Sequence, residues 1–237
     1  MSEKADVAIK NNRIIEIGKI SGVGVEELEA EGLFVTPGFI DIHSHSDFTL
    51  LVDPRAASSI FQGVTLEVIG NCGYGCAPIS DPILAGNNIY GLTDEVSLSW
   101  KSMAQYLERL ESASPAVNVI TLVPNGQLRL ATIGMSERPA TVEEFSKMKY
   151  LLEAGIEEGA FGLSSGLEYP AEKTATEEEL TALCRIVKRA GGIYATHTRK
   201  RDSGSAEAVE EAIRTAENSG VRLQISHLLP RSAPDEC

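Results

Sequence analysis

The chain has 237 residues, 43% of them hydrophobic and 23% charged, which is ordinary for a soluble globular protein of one large or two small domains. Its net charge of −13 argues against nucleic acid or an anionic membrane surface as a partner, because both are bound through basic patches. No apolar run reaches the ~18 residues of a membrane span, no secretory signal is visible, and four cysteines are too few for a disulfide framework, so we expect a cytoplasmic protein.

Residues 1–37 are predicted to form short strands joined by turns. Strand-like runs cover three segments, 6–10, 13–18 and 33–38. The pair Asn11-Asn12 between the first two segments is typical of a hairpin turn. We therefore expect residues 1–37 to be part of a small β-sandwich subdomain beside the domain formed by residues 38–237.

From residue 38 onward, strand-like runs alternate with helical ones. The six predicted strands cover 39–43, 65–69, 117–123, 160–163, 193–196 and 222–226. Helices are predicted near 54–62, 100–111, 141–158, 176–189 and 206–218. Two of these helices begin with a capping box, one opened by Thr141 and one by Thr176. Strands joined by helical crossovers pair in parallel, so the sequence predicts an α/β fold.

The choice within this class is between an open doubly wound sheet and a closed barrel. In both, functional side chains gather at the carboxyl ends of the strands. No phosphate-binding G-x-G-x-x-G opens a helix after the first strand, and the Gly-rich segment 71–75 does not lead directly into a helix. The nucleotide-binding version is therefore disfavoured, and we expect a barrel.

All four histidines lie at the carboxyl ends of predicted strands. His43 and His45 are two residues apart on an extended chain, where side chains point to the same face. His197 and His227 follow the fifth and sixth strands, and Cys72 follows the second. A thiolate with imidazoles favours zinc over magnesium or calcium. Cys72, His197 and His227 could bind one ion, with His43 and His45 at a second ion or at the bound water; a buried structural cysteine is the alternative.

Such a site predicts hydrolysis of an amide or ester. A carboxylate or histidine must then accept the proton of the attacking water. Asp41, Asp47 and Glu67 lie near the ligands in the sequence, but none of them fits this role. The catalytic base is left unassigned.

Five motifs together resemble the amidohydrolase superfamily, and within it the D-aminoacylases, or N-acyl-D-amino-acid deacylases. They are GFIDIHSHSD, GNCGYGCAP, GLSSGLEYP, YATHTRKR and QISHL. The Asn-Cys-Gly segment after the second strand is the most specific of these signs. The hydantoinase and dihydroorotase branches instead use a lysine after strand four, where this chain has Ser164-Ser165-Gly166.

The resemblance implies a metal-dependent (β/α)8 barrel with a small β-sandwich, acting on N-acyl-D-amino acids to release a D-amino acid and a carboxylate. It also implies the role of each ligand. Cys72, His197 and His227 would bind one Zn2+ tightly, and His43 and His45 would form a second, weaker metal position. The alternatives are a cyclic-amide hydrolase of the hydantoinase type and a catalytically inactive metal-binding fragment.

The chain also departs from the pattern of this family. The family's catalytic aspartate follows strand eight, whereas this chain stops soon after its sixth predicted strand. We therefore expect a fragment with about six of the eight barrel strands. Gln127 stands where the family more often has a histidine, and Tyr169 matches a position near the substrate pocket. Lys200, Arg201 and Arg231 follow ligand strands and could meet a substrate carboxylate.

Overall fold

The computed structural model describes residues 4–228 and residue 231, and the chain divides into two compact units between Pro37 and Gly38. In the first unit, β1 (Asp6–Lys10) pairs antiparallel with β2 (Arg13–Gly18). The turn between them is formed by Asn11 and Asn12, whose φ angles of 51° and 58° are left-handed. Asparagine tolerates this conformation because its short side chain can hydrogen-bond locally.

The strand predicted at 33–38 is wrong, because these residues have no strand assignment in the structure. The segment contains β-formers such as Phe34 and Val35, which prompted the prediction. Both side chains remain exposed. Pro37 cannot donate a hydrogen bond to a sheet, which accounts for the failure of the segment to continue as a strand.

The second unit alternates parallel strands with helices and helical turns. Its first part contains β3 (Phe39–Asp41), α1 (Thr49–Val52), α2 (Ala57–Ile60), β4 (Val64–Ile69), α3 (Pro82–Gly86), α4 (Met103–Ala113) and β5 (Asn118–Thr121). Its second part contains β6 (Val123–Pro124), α5 (Asn125–Leu130), α6 (Val142–Glu157), β7 (Gly162–Gly166), α7 (Glu177–Arg189), β8 (Ile193–His197), α8 (Ser205–Ser219) and β9 (Arg222–Ser226). In the described residues, no helix is long and apolar enough to cross a membrane.

The strands form two sheets, ordered β3-β4-β5 and β6-β7-β8-β9, and every pair within them is parallel. Only Leu122 separates β5 from β6, and its backbone N–H donates to Ile69 O at 3.0 Å. Phe161 N likewise donates to Thr121 O at 2.8 Å. The two sheets are therefore continuous and provide six consecutive strand positions. The predicted α/β fold is confirmed.

Several elements differ from the sequence prediction. The short helices α1 and α3 lie outside the predicted helices, and two further differences concern β7 and α5. The fourth predicted strand, 160–163, lies instead at β7, a Gly-Leu-Ser-Ser-Gly segment with low strand propensity and full burial. The short helix α5 was not predicted, because its Asn125-Gly126 start is typical of a turn. Tertiary packing decides both cases, since all six residues of α5 are buried.

An ion pair inside the protein joins α5 to α7. Arg129 Nη1 lies 2.6 Å from Glu179 Oε1, and the two side chains are 1% and 6% exposed. Arg129 Nε also donates to the carbonyl of Ala171 at 2.7 Å, and Nη2 donates to Thr174 Oγ1 at 2.9 Å. This network fixes the loop between β7 and α7.

We predict that Glu179→Ala lowers the free energy of unfolding by about 3–5 kcal/mol, because it removes the ion-pair partner of the buried Arg129 guanidinium. Urea denaturation measures the change. Glu153→Ala is the matched control, since it removes the partner of the exposed Arg189 at 3.0 Å, and should cost less than about 1 kcal/mol. Equal losses in the two variants would contradict the prediction.

Candidate metal centre

The five potential ligands predicted from the sequence meet in one cluster. They end or follow strands β3, β4, β8 and β9: His43, His45, Cys72, His197 and His227. Among the described residues, two sets of three have ligand atoms within 4.8 Å of one another. One set is His43, His45 and Cys72, and the other set is Cys72, His197 and His227. Because Cys72 belongs to both sets, it is the centre of the cluster.

The surroundings of Cys72 show how strongly the sheets curve. Its Sγ lies 3.4 Å from His43 Nε2 and 3.1 Å from His227 Nε2, and the two imidazole centroids are 4.4 Å apart. With β5 and β6 counted as one, β3 and β9 are five strand spacings apart, about 24 Å in a flat sheet. The strands must curl toward each other, which favours the barrel over the open sheet.

Two of the potential ligands have a left-handed backbone. The φ angle is 54° at Cys72 and 50° at His227, and neither residue is glycine. This conformation is uncommon for side-chain-bearing residues and clusters at functional sites, where the surrounding structure enforces it. The backbone therefore directs both side chains into the cluster at some cost in stability.

Burial keeps the imidazoles in the neutral form that binds metals. It lowers the pKa of His43 to about 4, with a smaller contribution from the neighbouring imidazole of His227. Burial also lowers the pKa of His45, His197 and His227. Four neutral imidazoles can offer lone pairs to a cation without first losing protons.

The thiol is held in its protonated form as long as no cation is present. Burial raises the pKa of Cys72 to about 12, and the nearby Glu172 carboxyl adds to this shift. A divalent cation reverses such a preference, because a coordinating thiol loses its proton. The described residues fit a zinc-type ion: the donors are sulfur and nitrogen, and the buried His45 Nδ1 has no hydrogen-bond partner among them.

His197 is held from two sides by the segment after β7. Its Nε2 lies 2.7 Å from Glu168 Oε2, and its Nδ1 lies 3.3 Å from the hydroxyl of Tyr169. Arg231 donates to the other oxygen of Glu168 at 3.0 Å. The structure thus places Tyr169 against a predicted ligand, while its contact with a substrate stays a prediction.

Two further tyrosines join Tyr169 in a wall beside the cluster. Tyr90 stacks on His45 with ring centroids 5.1 Å apart, and Tyr74 meets Tyr169 edge to face at 4.9 Å. Sequence reasoning did not identify Tyr74 or Tyr90 as site residues. Tyr74 could have been found from its place two residues after Cys72, whereas no local signal marks Tyr90.

Two of the three acidic residues considered as bases, Asp41 and Glu67, hold the segment after β3 through hydrogen bonds. Asp41 accepts a hydrogen bond from the backbone N–H of His43 at 3.0 Å. Glu67 is buried and accepts hydrogen bonds from the hydroxyls of three serines: Ser44, Ser46 and Ser59. Asp47 is buried, and burial raises its pKa to about 7.

The remaining predicted residues have varied surroundings. Gln127 is buried and donates to the carbonyls of Gly75 at 2.8 Å and Ala85 at 3.0 Å, so it braces the loop after Cys72. Lys200 lies 3.8 Å from Glu207 at the surface. Arg201 contributes positive charge beside Cys72 and His227. A role for the cations in binding a substrate carboxylate stays a prediction.

We predict that the metal-free protein loses stability as the pH falls from 6.5 to 4, partly through His43. An unfolded histidine titrates near 6.5 and folded His43 near 4, so only the unfolded chain binds this proton in that window. The contribution is present above pH 6.5 and is lost by pH 4. It amounts to about 2 kcal/mol, since His43 is partly solvent-exposed and the full linkage is screened.

Urea denaturation in EDTA, at several pH values, measures this loss in the wild-type protein and in His43→Asn. The variant should lose less stability over the same window. Parallel loss in the two proteins would contradict the assignment of a depressed pKa to His43.

Comparison with known proteins agrees with this geometry. Residues 26–234 match the sequence profile of the Amidohydrolase family. A D-aminoacylase from Alcaligenes xylosoxydans xylosoxydans is 37% identical over 226 residues, which cover 94% of this chain and 46% of the relative. The chain therefore spans about half the length of the curated relatives it matches.

Solved structures show the same pattern. A D-aminoacylase crystal structure has a TM-score of 0.87 and 33% identity, over 97% of this chain and 48% of that one. An N-acyl-D-glutamate deacylase from Bordetella bronchiseptica, complexed with zinc and a phosphonate inhibitor, has a TM-score of 0.83 and 31% identity. The match covers 93% of this chain and 46% of that one. A D-hydantoinase shares the fold alone, at 18% identity and a TM-score of 0.56. The chain belongs to the amidohydrolase family.

Proposed function

We propose that this chain carries the zinc site of a hydrolase that cleaves N-acyl-D-amino acids into a D-amino acid and a carboxylate. The observation that carries the proposal is the Cys72 thiol, which lies 3.4 Å and 3.1 Å from the imidazoles of His43 and His227. Cys72, His197 and His227 would bind the tighter zinc ion. His43 and His45 would belong to a second, weaker position.

The protein's own groups prepare this site. A zinc ion supplies Lewis acidity, which polarises a carbonyl and lowers the pKa of water. Burial keeps the imidazoles of His43 and His197 neutral, so they are ready to bind. The Glu168 carboxylate accepts a hydrogen bond from His197 Nε2 at 2.7 Å and so fixes the orientation of that ring. Carboxylate contacts of this kind orient metal-binding histidines and strengthen their basicity.

The substrate class is supported by what the relatives act on. The similar proteins are named as a D-aminoacylase and an N-acyl-D-glutamate deacylase, both of which act on linear amides. The chain has Ser164-Ser165-Gly166 where cyclic-amide hydrolases use a lysine, and the hydantoinase likeness is one of fold alone. A small-molecule amide of a D-amino acid is therefore favoured over a cyclic amide, and we place Tyr169 beside it.

Two further assignments belong to this proposal. We place the hairpin of β1 and β2 in a small β-sandwich subdomain, as in the resemblance, with residues 38–237 as the metal-binding domain. We also infer a cytoplasmic location. The free thiols of Cys72, Cys76 and Cys184 support a reducing environment.

Binding of a phosphonate analogue tests the proposal without depending on turnover. We predict that the zinc-loaded chain binds the analogue of an N-acyl-D-amino acid at least about tenfold more tightly than its L enantiomer, a difference of about 1.4 kcal/mol. Isothermal titration calorimetry measures both affinities. Removal of zinc, or Cys72→Ala, should abolish the binding, because the phosphonate oxygens then have no cation.

Cys184→Ala is the matched control, since this cysteine is fully buried in α7, away from the cluster. It should leave zinc content and analogue binding unchanged. Equal affinity for both enantiomers, or hydrolysis of dihydrouracil by the zinc-loaded chain, would overturn the proposed substrate class. Zinc binding without any analogue binding would indicate a metal-binding scaffold instead.

A further inference from the structure

The turn that carries Cys72 is held from outside by buried polar groups of β7 and the loop after it. The turn itself has an unusual backbone, with φ of 76° at Gly70, 54° at Cys72 and 71° at Gly73. A residue with a side chain in this region costs of order 1–3 kcal/mol. The conformation at Cys72 therefore depends on surrounding contacts.

Ser164 provides the first of these contacts. Its hydroxyl oxygen accepts a hydrogen bond from the backbone N–H of Gly73 at 3.0 Å, and the same hydroxyl donates to the carbonyl of Gly70. The side chain is completely buried, with 0% exposure. One hydroxyl thus bridges the two ends of the turn, on either side of Cys72.

Glu172 provides the second contact. It is a carboxyl group with only 1% exposure, and none of the proposed chemistry uses it. Its Oε1 accepts from the backbone N–H of Gly166 at 3.0 Å, and its Oε2 accepts from Asn125 Nδ2 at 2.7 Å. A Cβ placed on Gly73 would lie only 1.6 Å from Glu172 Oε1, so the carboxyl packs directly against the turn.

The backbone carbonyl groups of the turn also have close neighbours. A Cβ on Gly166 would lie 2.1 Å from the carbonyl oxygen of Cys72, so only glycine allows β7 to approach this closely. Asn88 Nδ2 donates to the carbonyl of Gly73. The turn therefore has contacts on both sides, and they leave the Sγ of Cys72 facing the imidazoles.

We propose that Ser164 and Glu172 are positioning residues for the metal: they lock the Gly70–Gly73 turn so that the Cys72 thiolate completes the site. This inference rests on the proposed zinc function. Metal–ligand distances tolerate only about ±0.2 Å. A turn that relaxes from its left-handed conformation moves Sγ by more than this, so the loss of either brace weakens the bond to Cys72 in particular.

Cobalt and zinc titrations of the purified chain test the proposal. A thiolate bound to Co2+ gives a near-ultraviolet charge-transfer band, which reports on Cys72 rather than on overall folding. We predict that Ser164→Ala and Glu172→Ala each reduce this band and weaken zinc binding by about 10–100-fold. Circular dichroism and thermal unfolding establish that each variant is folded.

Ser165→Ala is the matched control. Ser165 is the next residue on β7 and is also 0% exposed, but its hydroxyl lies 2.7 Å from Tyr194 Oη and 2.9 Å from Thr196 Oγ1, away from the turn. This variant removes the same group from the same strand. It should retain the wild-type band and zinc affinity.

Glu172→Gln is the conservative variant and should restore nearly wild-type binding. Its amide oxygen can still accept from Gly166 N, and its NH2 group can donate to Asn125 Oδ1 once that amide rotates. Asn125 Oδ1 has no hydrogen-bond partner among the described residues, so the rotation breaks no hydrogen bond to that oxygen.

The outcomes separate this inference from the proposed function. If the wild-type chain with cobalt shows no thiolate band, the metal site itself is wrong and the positioning role falls with it. If the wild-type band is present but Ser164→Ala behaves like Ser165→Ala, the metal site stands and the positioning role is overturned. The two serine variants decide the role of Ser164 even where Glu172→Ala does not fold. A wild-type band in folded Glu172→Ala would overturn the role of Glu172.

Discussion

The Cys72 thiol contacts imidazoles that follow the first and last strands of the barrel segment, and the metal site and the curvature of the sheets both require this contact. His43 follows β3 and His227 follows β9, yet their rings are 4.4 Å apart. In a closed parallel barrel the helices form an outer ring around the strands, so the first and last strands approach each other. The fold therefore brings residues that are distant in the sequence together at the carboxyl ends of the strands.

The same geometry sets the electrostatics of the cluster. Burial lowers the pKa of every imidazole and raises the pKa of the thiol, so the metal-free cluster is neutral. A divalent cation is the species that such a set of donors is suited to accept, since it stabilises the thiolate that burial opposes. Glu168 orients His197, and Ser164 and Glu172 hold the turn that carries Cys72.

Sequence reasoning predicted which residues meet in this cluster because strand ends in a parallel α/β fold are recognisable from local periodicity. His43, Cys72 and His227 follow clear apolar strands, and the topology then brings them together. It could not find Glu172 or Tyr90, because their roles arise from contacts between segments far apart in the chain. The Ser-rich β7 was misplaced for the same reason: its burial, not its propensity, makes it a strand.

X-ray absorption at the zinc edge of the zinc-loaded chain shows whether the Cys72 thiolate binds the metal. We expect one sulfur neighbour at about 2.3 Å, together with nitrogen or oxygen neighbours at about 2.0–2.1 Å, and loss of the sulfur in Cys72→Ala. A zinc ion surrounded only by nitrogen and oxygen in the wild-type chain, or a sulfur that persists in Cys72→Ala, would contradict this expectation.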